Sequence, residues 1–203
     1  MAGAAVACGL VSPARLVVLA SGSGTTLQGL LDATRDPAYG AMVVALGTDR
    51  PGTGAAERAA AAGVGVWTVR LEDCPDRPAF DAAVAARLAA DRPDLVCLAG
   101  WMKILGAPVV QRFRCVNTHP SLLPAFPGAH AIRDALAAGA TESGATVHEV
   151  DLGVDTGPVL AQVRVPIVPG DTEDALRVRI QAAERPLFVE TVGRLARQRA
   201  AAP

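Results

Sequence analysis

A chain of 203 residues, 51% of them apolar, is long enough to close one core and too short for two ordinary domains. Its 19 basic and 20 acidic residues leave a formal charge of −1. No basic run or basic–aromatic interleaving offers a nucleic-acid platform, and no apolar stretch reaches the length of a membrane span.

The first fourteen residues carry Pro13, lack the basic start of a signal peptide, and read as a disordered extension ahead of a domain over 15–198. A cytoplasmic location is the expectation. Residues Arg15–Ala20 form the first apolar run bounded by turn residues, a strand signal. The loop Ser21-Gly-Ser-Gly-Thr-Thr26 follows, and Leu27, Leu30 and Leu31 begin a helical spacing. A second strand is predicted over Ala41–Leu46, an Ala-rich helix over 54–62 stopped by Gly63, and a third strand over Val64–Val69. Residues 70–78 read as a loop. Phe80, Val84 and Leu88 recur every four residues on a helix that ends before Pro93.

Strand four is Asp94–Ala99, a short helix lies near 107–112, and strand five starts at Cys115 and runs through Asn117. Strands alternating with helices at this spacing give an α/β fold, a mostly parallel, Rossmann-like sheet with helices on both faces. A Pro-rich loop covers 119–128, a helix 130–138, and two strands near 144–150 and 158–167 have no helix between them, so they should extend the sheet as a hairpin. The final long helix begins around Asp171-Thr172 with Glu173 and Asp174 in its first turn, and Pro186 is expected to kink or divide it.

Of the candidate chemistry, the loop 21–26 suits an anion: glycines allow close approach, and amides at a helix start favour negative charge. An ordinary glycine turn with a Thr cap is the equal alternative. The loop is neither an NTP-binding P-loop nor a dinucleotide fingerprint, since the Lys and the third glycine are missing. Asn117 and His119 alternate onto one side of a strand end, where open α/β sheets place ligands, and Pro120 keeps His119 extended. A loop cap and a turn Asn would look the same in isolation. His130 reads as surface or structural and His148 as a hydrogen-bonded sheet residue. The three histidines lack metal-ligand spacing. Cys8, Cys74, Cys97 and Cys115 form no C-x-x-C pair and read as structural. Asp151 and Asp155 share a Gly-containing turn, and either could pair with a histidine. Gln181 and Glu184 share one face of the last helix.

Taken together, Asn117-Thr-His-Pro-Ser-Leu-Leu-Pro124, Phe126-Pro-Gly128, Gly144-Ala-Thr-Val-His148 and Asp155-Thr-Gly-Pro158 resemble the formyltransferase family that uses 10-formyltetrahydrofolate. Ser21–Gln28 and Leu98–Leu105 resemble its glycinamide ribonucleotide branch, and the likeness runs from about Arg15 to Leu195. The resemblance implies a single-domain formyltransferase fold, 10-formyltetrahydrofolate as co-substrate, no metal, small-molecule partners only, and a monomer or homodimer. It implies Asn117, His119 and Asp155 as the catalytic trio. Gly24, Thr25 and Thr26 would surround a ribonucleotide phosphate, with Gln181 and Glu184 beside that substrate and Glu184 facing its amine. Arg77, Met102, Lys103, Ile104 and Leu105, with Asn117 and the turn Asp151, Leu152, Gly153, Val154 and Asp155, would form the folate pocket.

The chain departs from the usual pattern at Ser23, Thr26, Trp101 and Lys103. Hydroxyls still donate to phosphate, but Lys103 loses the planar fork of an Arg. Four other readings compete. A methionyl-tRNA formyltransferase and a formyltetrahydrofolate hydrolase would each carry a further domain. A sugar-amine formyltransferase is opposed by the phosphate loop and Glu184. A nicotinamide oxidoreductase could use Asp49 after strand two, but lacks the glycine pattern.

Overall fold

The computed structural model describes residues 12–200; the stretch expected to be disordered lies, up to residue 11, outside them. Five strands, β1 (Ala14–Leu19), β2 (Ala41–Thr48), β3 (Gly65–Thr68), β4 (Leu95–Leu98) and β5 (Cys115–His119), pair parallel in the order β3-β2-β1-β4-β5. The hairpin β6 (Glu142–Glu149) and β7 (Val159–Pro166) adds antiparallel beyond β5. The chain reverses its winding direction between β1 and β4, and a crevice opens above the carboxyl ends of those two strands.

Helices cover both faces. The first layer holds α1 (Thr25–Ala33), α2 (Gly54–Ala61) and the long α6 (Glu173–Ala200), which bury Leu27, Leu30, Ala55, Phe188 and Val192 against β1 and β2. The second holds α3 (Arg77–Asp91) and α4 (Ala107–Val110), with Phe80, Val84, Leu88 and Val109 packed on Val17, Val96 and Trp101. Ile132 of α5 (Ala131–Ala137) joins Leu176 and Ile180 over the hairpin. Phe80 and Phe188 are the largest fully buried side chains, one per face. Truncating either to Ala would cost about 3–5 kcal/mol.

Local caps explain where the structure departs from the sequence pattern. The segment 70–78 is not a plain loop: Leu71–Asp73 makes a 3-10 turn, and α3 already starts at Arg77. Asp76 caps it by accepting the Ala79 N–H at 2.8 Å, and Pro78 sits in the first turn, where its missing N–H costs nothing. Helix α6 runs unbroken through Pro186. The ring faces solvent and so does Ala182, one turn earlier, whose carbonyl loses its partner to water instead of to a dry core. Cys74, Cys97 and Cys115 are unpaired, and the last two are buried, as core thiols are; Cys8 lies outside the described residues.

Candidate active site

At the rim of β5 the side chain of His119 is buried and lies between two acceptors. Its Nδ1 is 3.2 Å from Asp155 Oδ2 and its Nε2 2.9 Å from the Phe126 carbonyl. A carbonyl can only accept, so Nε2 carries a hydrogen toward Phe126; donation from Nδ1 to the carboxylate as well belongs to the imidazolium form. Asp155 reaches it from the turn after β6. This turn is tight: a Cβ at Gly157 would stand 1.9 Å from the Glu149 carbonyl, and Asp155 itself takes a left-handed φ of 56°. Such backbone persists only where its surroundings over-determine it. The Gly128 N–H, donating at 2.8 Å to Asp155 Oδ2, supplies one of those restraints.

His148 is the hydrogen-bonded sheet residue expected from the sequence, and it also belongs to the same cluster. It is 2% exposed and sits directly across the antiparallel pairing from Asn117. Its Nδ1 donates to the Glu149 carbonyl at 2.8 Å. Its Nε2 stands 3.4 Å from Asn117 Nδ2 and 3.5 Å from Asp155 Oδ1. A register shift in the β6–β7 ladder falls between Val147 and His148, and irregularities of this kind re-aim side chains beside functional sites. The Asp155 carboxyl is held below the usual carboxylate range, first by His148, then, against burial, by the Gly128 N–H and the charge of His119. One carboxylate thus faces two imidazoles, and Nε2 of His148 can either donate to that carboxylate or accept from the Asn117 amide.

The second half of the site is a cavity of about 210 Å³ above β1 and β4, lined by Gly22 to Thr26, Gly100, Met102, Gln181, Glu184 and Arg185. Gly24 ends the loop as the N-cap of α1 with φ 73°, and a Cβ there would stand 2.5 Å from Ala55 Cα. Only glycine meets both conditions. The first amides of α1 have no partner within the helix and open toward the cavity wall. Burial pushes the Glu184 carboxyl above the usual range. Arg185, which the sequence pattern did not single out, brings a positive charge to the same wall.

The remaining predicted residues fall on two loops and, for Arg77, at the start of α3. In the segment after β4 the side chains alternate. Trp101 and Leu105 are buried in the core, with Trp101 stacked on Phe80 at 6.5 Å between ring centroids, while Met102 and Ile104 are 70% and 64% exposed. Lys103 turns back to Asp49, with Nζ 3.3 Å from Oδ2. In the turn after β6, Leu152 and Val154 are exposed, and Val150 packs on the cluster that holds Trp101 and Leu105. The two loops therefore expose four apolar side chains, Met102, Ile104, Leu152 and Val154, over one shared core. Arg77 is engaged with Asp81, Nε to Oδ1 at 3.2 Å, and covers the Phe80 ring. Asp151 closes its own turn, accepting from the Gly153 N–H at 3.0 Å and the Thr156 hydroxyl at 2.7 Å. His130 is exposed. Among the described residues no group of three His, Cys, Asp or Glu side chains is placed to hold a metal ion, and no helix is long and apolar enough to cross a membrane.

Comparison with known proteins matches this arrangement. Phosphoribosylglycinamide formyltransferase of Mycobacterium tuberculosis (strain ATCC 25618 / H37Rv) is 56% identical over 187 residues, which cover 91% of this chain and 86% of that one. The protein of the same name from Escherichia coli (strain K12) is 37% identical over 175 residues, covering 85% and 82%. The crystal structure of glycinamide ribonucleotide transformylase 1 from Symbiobacterium toebii superposes with a TM-score of 0.89 at 45% identity, over 93% of this chain and 90% of that chain. The family model described as Formyl transferase matches residues 14–192, nearly the whole chain, and the chain belongs to that family.

Proposed function

We propose that this chain transfers a formyl group from 10-formyltetrahydrofolate to the amine of glycinamide ribonucleotide, giving formylglycinamide ribonucleotide in purine biosynthesis. The observation that carries the reading is the carboxylate–imidazole pair of Asp155 and His119, 3.2 Å apart, at a sheet rim that also holds the amide of Asn117. Acyl transfer to an amine builds negative charge on the acyl oxygen, and donors aimed at that oxygen lower the barrier. The folate supplies the formyl group.

Asn117 and His119 donate to its oxygen; for His119 this means exchanging the Phe126 carbonyl now on Nε2 for the substrate oxygen. Asp155 keeps the donor hydrogen on Nδ1 and orients the ring. Gly24, Thr25 and Thr26 receive the ribonucleotide phosphate at the start of α1, with Gln181 and Glu184 alongside. Glu184, as a carboxylate, holds the substrate amine near the formyl carbon. Met102, Ile104, Leu152 and Val154 enclose the folate ring, while Arg77 and Lys103 lie at its charged end. Lys103 offers that end only a shared charge, because Asp49 already partners it.

The test is purified chain with glycinamide ribonucleotide and 10-formyl-5,8-dideazafolate, following release of the deformylated analogue. Release that requires the ribonucleotide supports the reading. Release that instead requires a nucleotide sugar amine moves the chain to another branch, and no release with either acceptor overturns it.

A further inference from the structure

Asp49 is an acidic residue that the sequence pattern singled out and the reaction leaves unused. Its side chain is 1% exposed at the end of β2, yet Arg50 beside it and Lys103 from the exit of β4 both converge on it. Arg50 forks onto it, with Nε 3.2 Å from Oδ1 and an Nη 3.1 Å from Oδ2. Lys103 reaches Oδ2 from the segment after β4 at 3.3 Å, and Ser21 follows the end of β1. Ser21 in turn accepts the Met102 N–H at 3.0 Å, and its own N–H donates to the Gly100 carbonyl at 3.1 Å. A carboxylate at the exit of β2 and a serine at the exit of β1 therefore both hold the segment that leaves β4, beside the crevice where the chain reverses its winding.

The alternation of the segment gives this tie a purpose. Met102 and Ile104 stay outward because Trp101, Lys103 and Leu105 are held inward. Trp101 and Leu105 are secured by the core. Lys103 is a cation 29% exposed, and only a charged partner secures it. We infer that Asp49 is a positioning residue: it holds the Gly100–Leu105 segment in the conformation that presents Met102 and Ile104 to the folate. This rests on the reading of that segment as the folate wall. It makes Asp49 a determinant of folate affinity and not of the chemical step.

The experiment compares Asp49→Ala and Asp49→Asn with the parent chain, by steady-state kinetics and by amide hydrogen exchange. For Asp49→Ala the KM for 10-formyl-5,8-dideazafolate should rise on the order of tenfold, while kcat and the KM for the ribonucleotide change by less than about threefold. The Met102 amide should exchange faster while Val18, in the buried centre of β1, keeps its protection. Asp49→Asn keeps the shape of the side chain but removes the charge that secures Lys103; it should raise the folate KM and speed exchange of the Met102 amide in the same direction, to a smaller extent. If Asp49→Ala fails to fold, the Asn variant still decides. An unchanged folate KM in the folded variants, or equal loss in kcat and in both KM values, overturns the inference. A parent chain inactive in formyl transfer would overturn the proposed function instead, and the exchange of Met102 would still report whether Asp49 anchors the segment.

Discussion

Around β5 and β6 the reacting groups already hold one another, whereas around the loop 21–26 the polar groups face open space. His119, His148, Asp155 and Asn117 are side chains from two strands and a turn, linked over 2.8–3.5 Å to each other and to backbone. The cavity above β1 and β4 is lined by one short loop, with Gln181, Glu184 and Arg185 of α6 as its far wall. The first arrangement is preorganised and transmits any change. The second is set by one glycine turn and waits for an anion. Different failures should follow from damage to each.

The largest effect belongs to the linked half. Losing one good donor to a developing oxyanion costs on the order of 10²–10³ in rate, or about 3–4 kcal/mol. His119→Ala and Asp155→Asn should each lower kcat by that order with little change in either KM, and the double variant should be scarcely worse than the single ones. Additive losses would mean that the two groups do not work as a unit.

Gly24→Ala tests the other half and ranks next. A Cβ at φ 73° against Ala55 strains the loop by about 1–3 kcal/mol, and the distortion falls on the amides that meet the phosphate. The KM for the ribonucleotide should rise about tenfold or more and the melting temperature fall, with the folate KM nearly unchanged. A fall in kcat at constant KM would erase the contrast between the two halves.

The same contrast explains what could be read from the amino acids alone. The loop 21–26 is local, so strand, glycines and helix start announced it in one stretch. Asn117 and His119 were legible for the same reason, through strand alternation and Pro120. Asp155 is 36 residues downstream of His119, and only the family likeness joined them. His148 was read rightly as a hydrogen-bonded sheet residue, but its approach to Asp155 depends on the antiparallel register with Asn117 and on the shift at Val147/His148, neither of which leaves a local signature. Arg185 was one of 19 basic residues, and only the packing of α6 over the crevice distinguishes it. Leu105 and Asp151 carry motif positions, yet the core takes the first and a turn the second. The strand and helix order followed from turn residues such as Gly63, at φ 70° after α2, where sterics decide without reference to distant partners.

A smaller effect is expected where the linked half has slack. His148→Leu removes the nitrogen that Asn117 and Asp155 face and leaves buried polar atoms short of a partner, at about 1–3 kcal/mol. Part of that appears as lost stability and the rest as a fall in kcat of about tenfold. His148→Gln, which restores a polar atom near the position of Nε2, should recover most of the rate. Equal rates for Leu and Gln would make His148 packing and nothing more.

The smallest effect is one of pH, and it has opposite signs for folding and for binding. Burial raises the Glu184 carboxyl above its usual value. A raised acid stabilises the fold below its unfolded value, and that contribution is lost as pH rises through the folded value. Binding of the substrate amine needs the carboxylate, so it weakens as pH falls through the same raised value. Glu184→Gln should therefore gain stability on the alkaline side, raise the ribonucleotide KM a few-fold there, and flatten the acid-side rise of that KM. The folate KM should follow the parent at every pH, since Glu184 lies on the cavity wall and not on the folate loops. An acid-side rise that survives in the Gln variant would assign the titration to another group, and the two halves of the site would then share a proton that the geometry keeps apart.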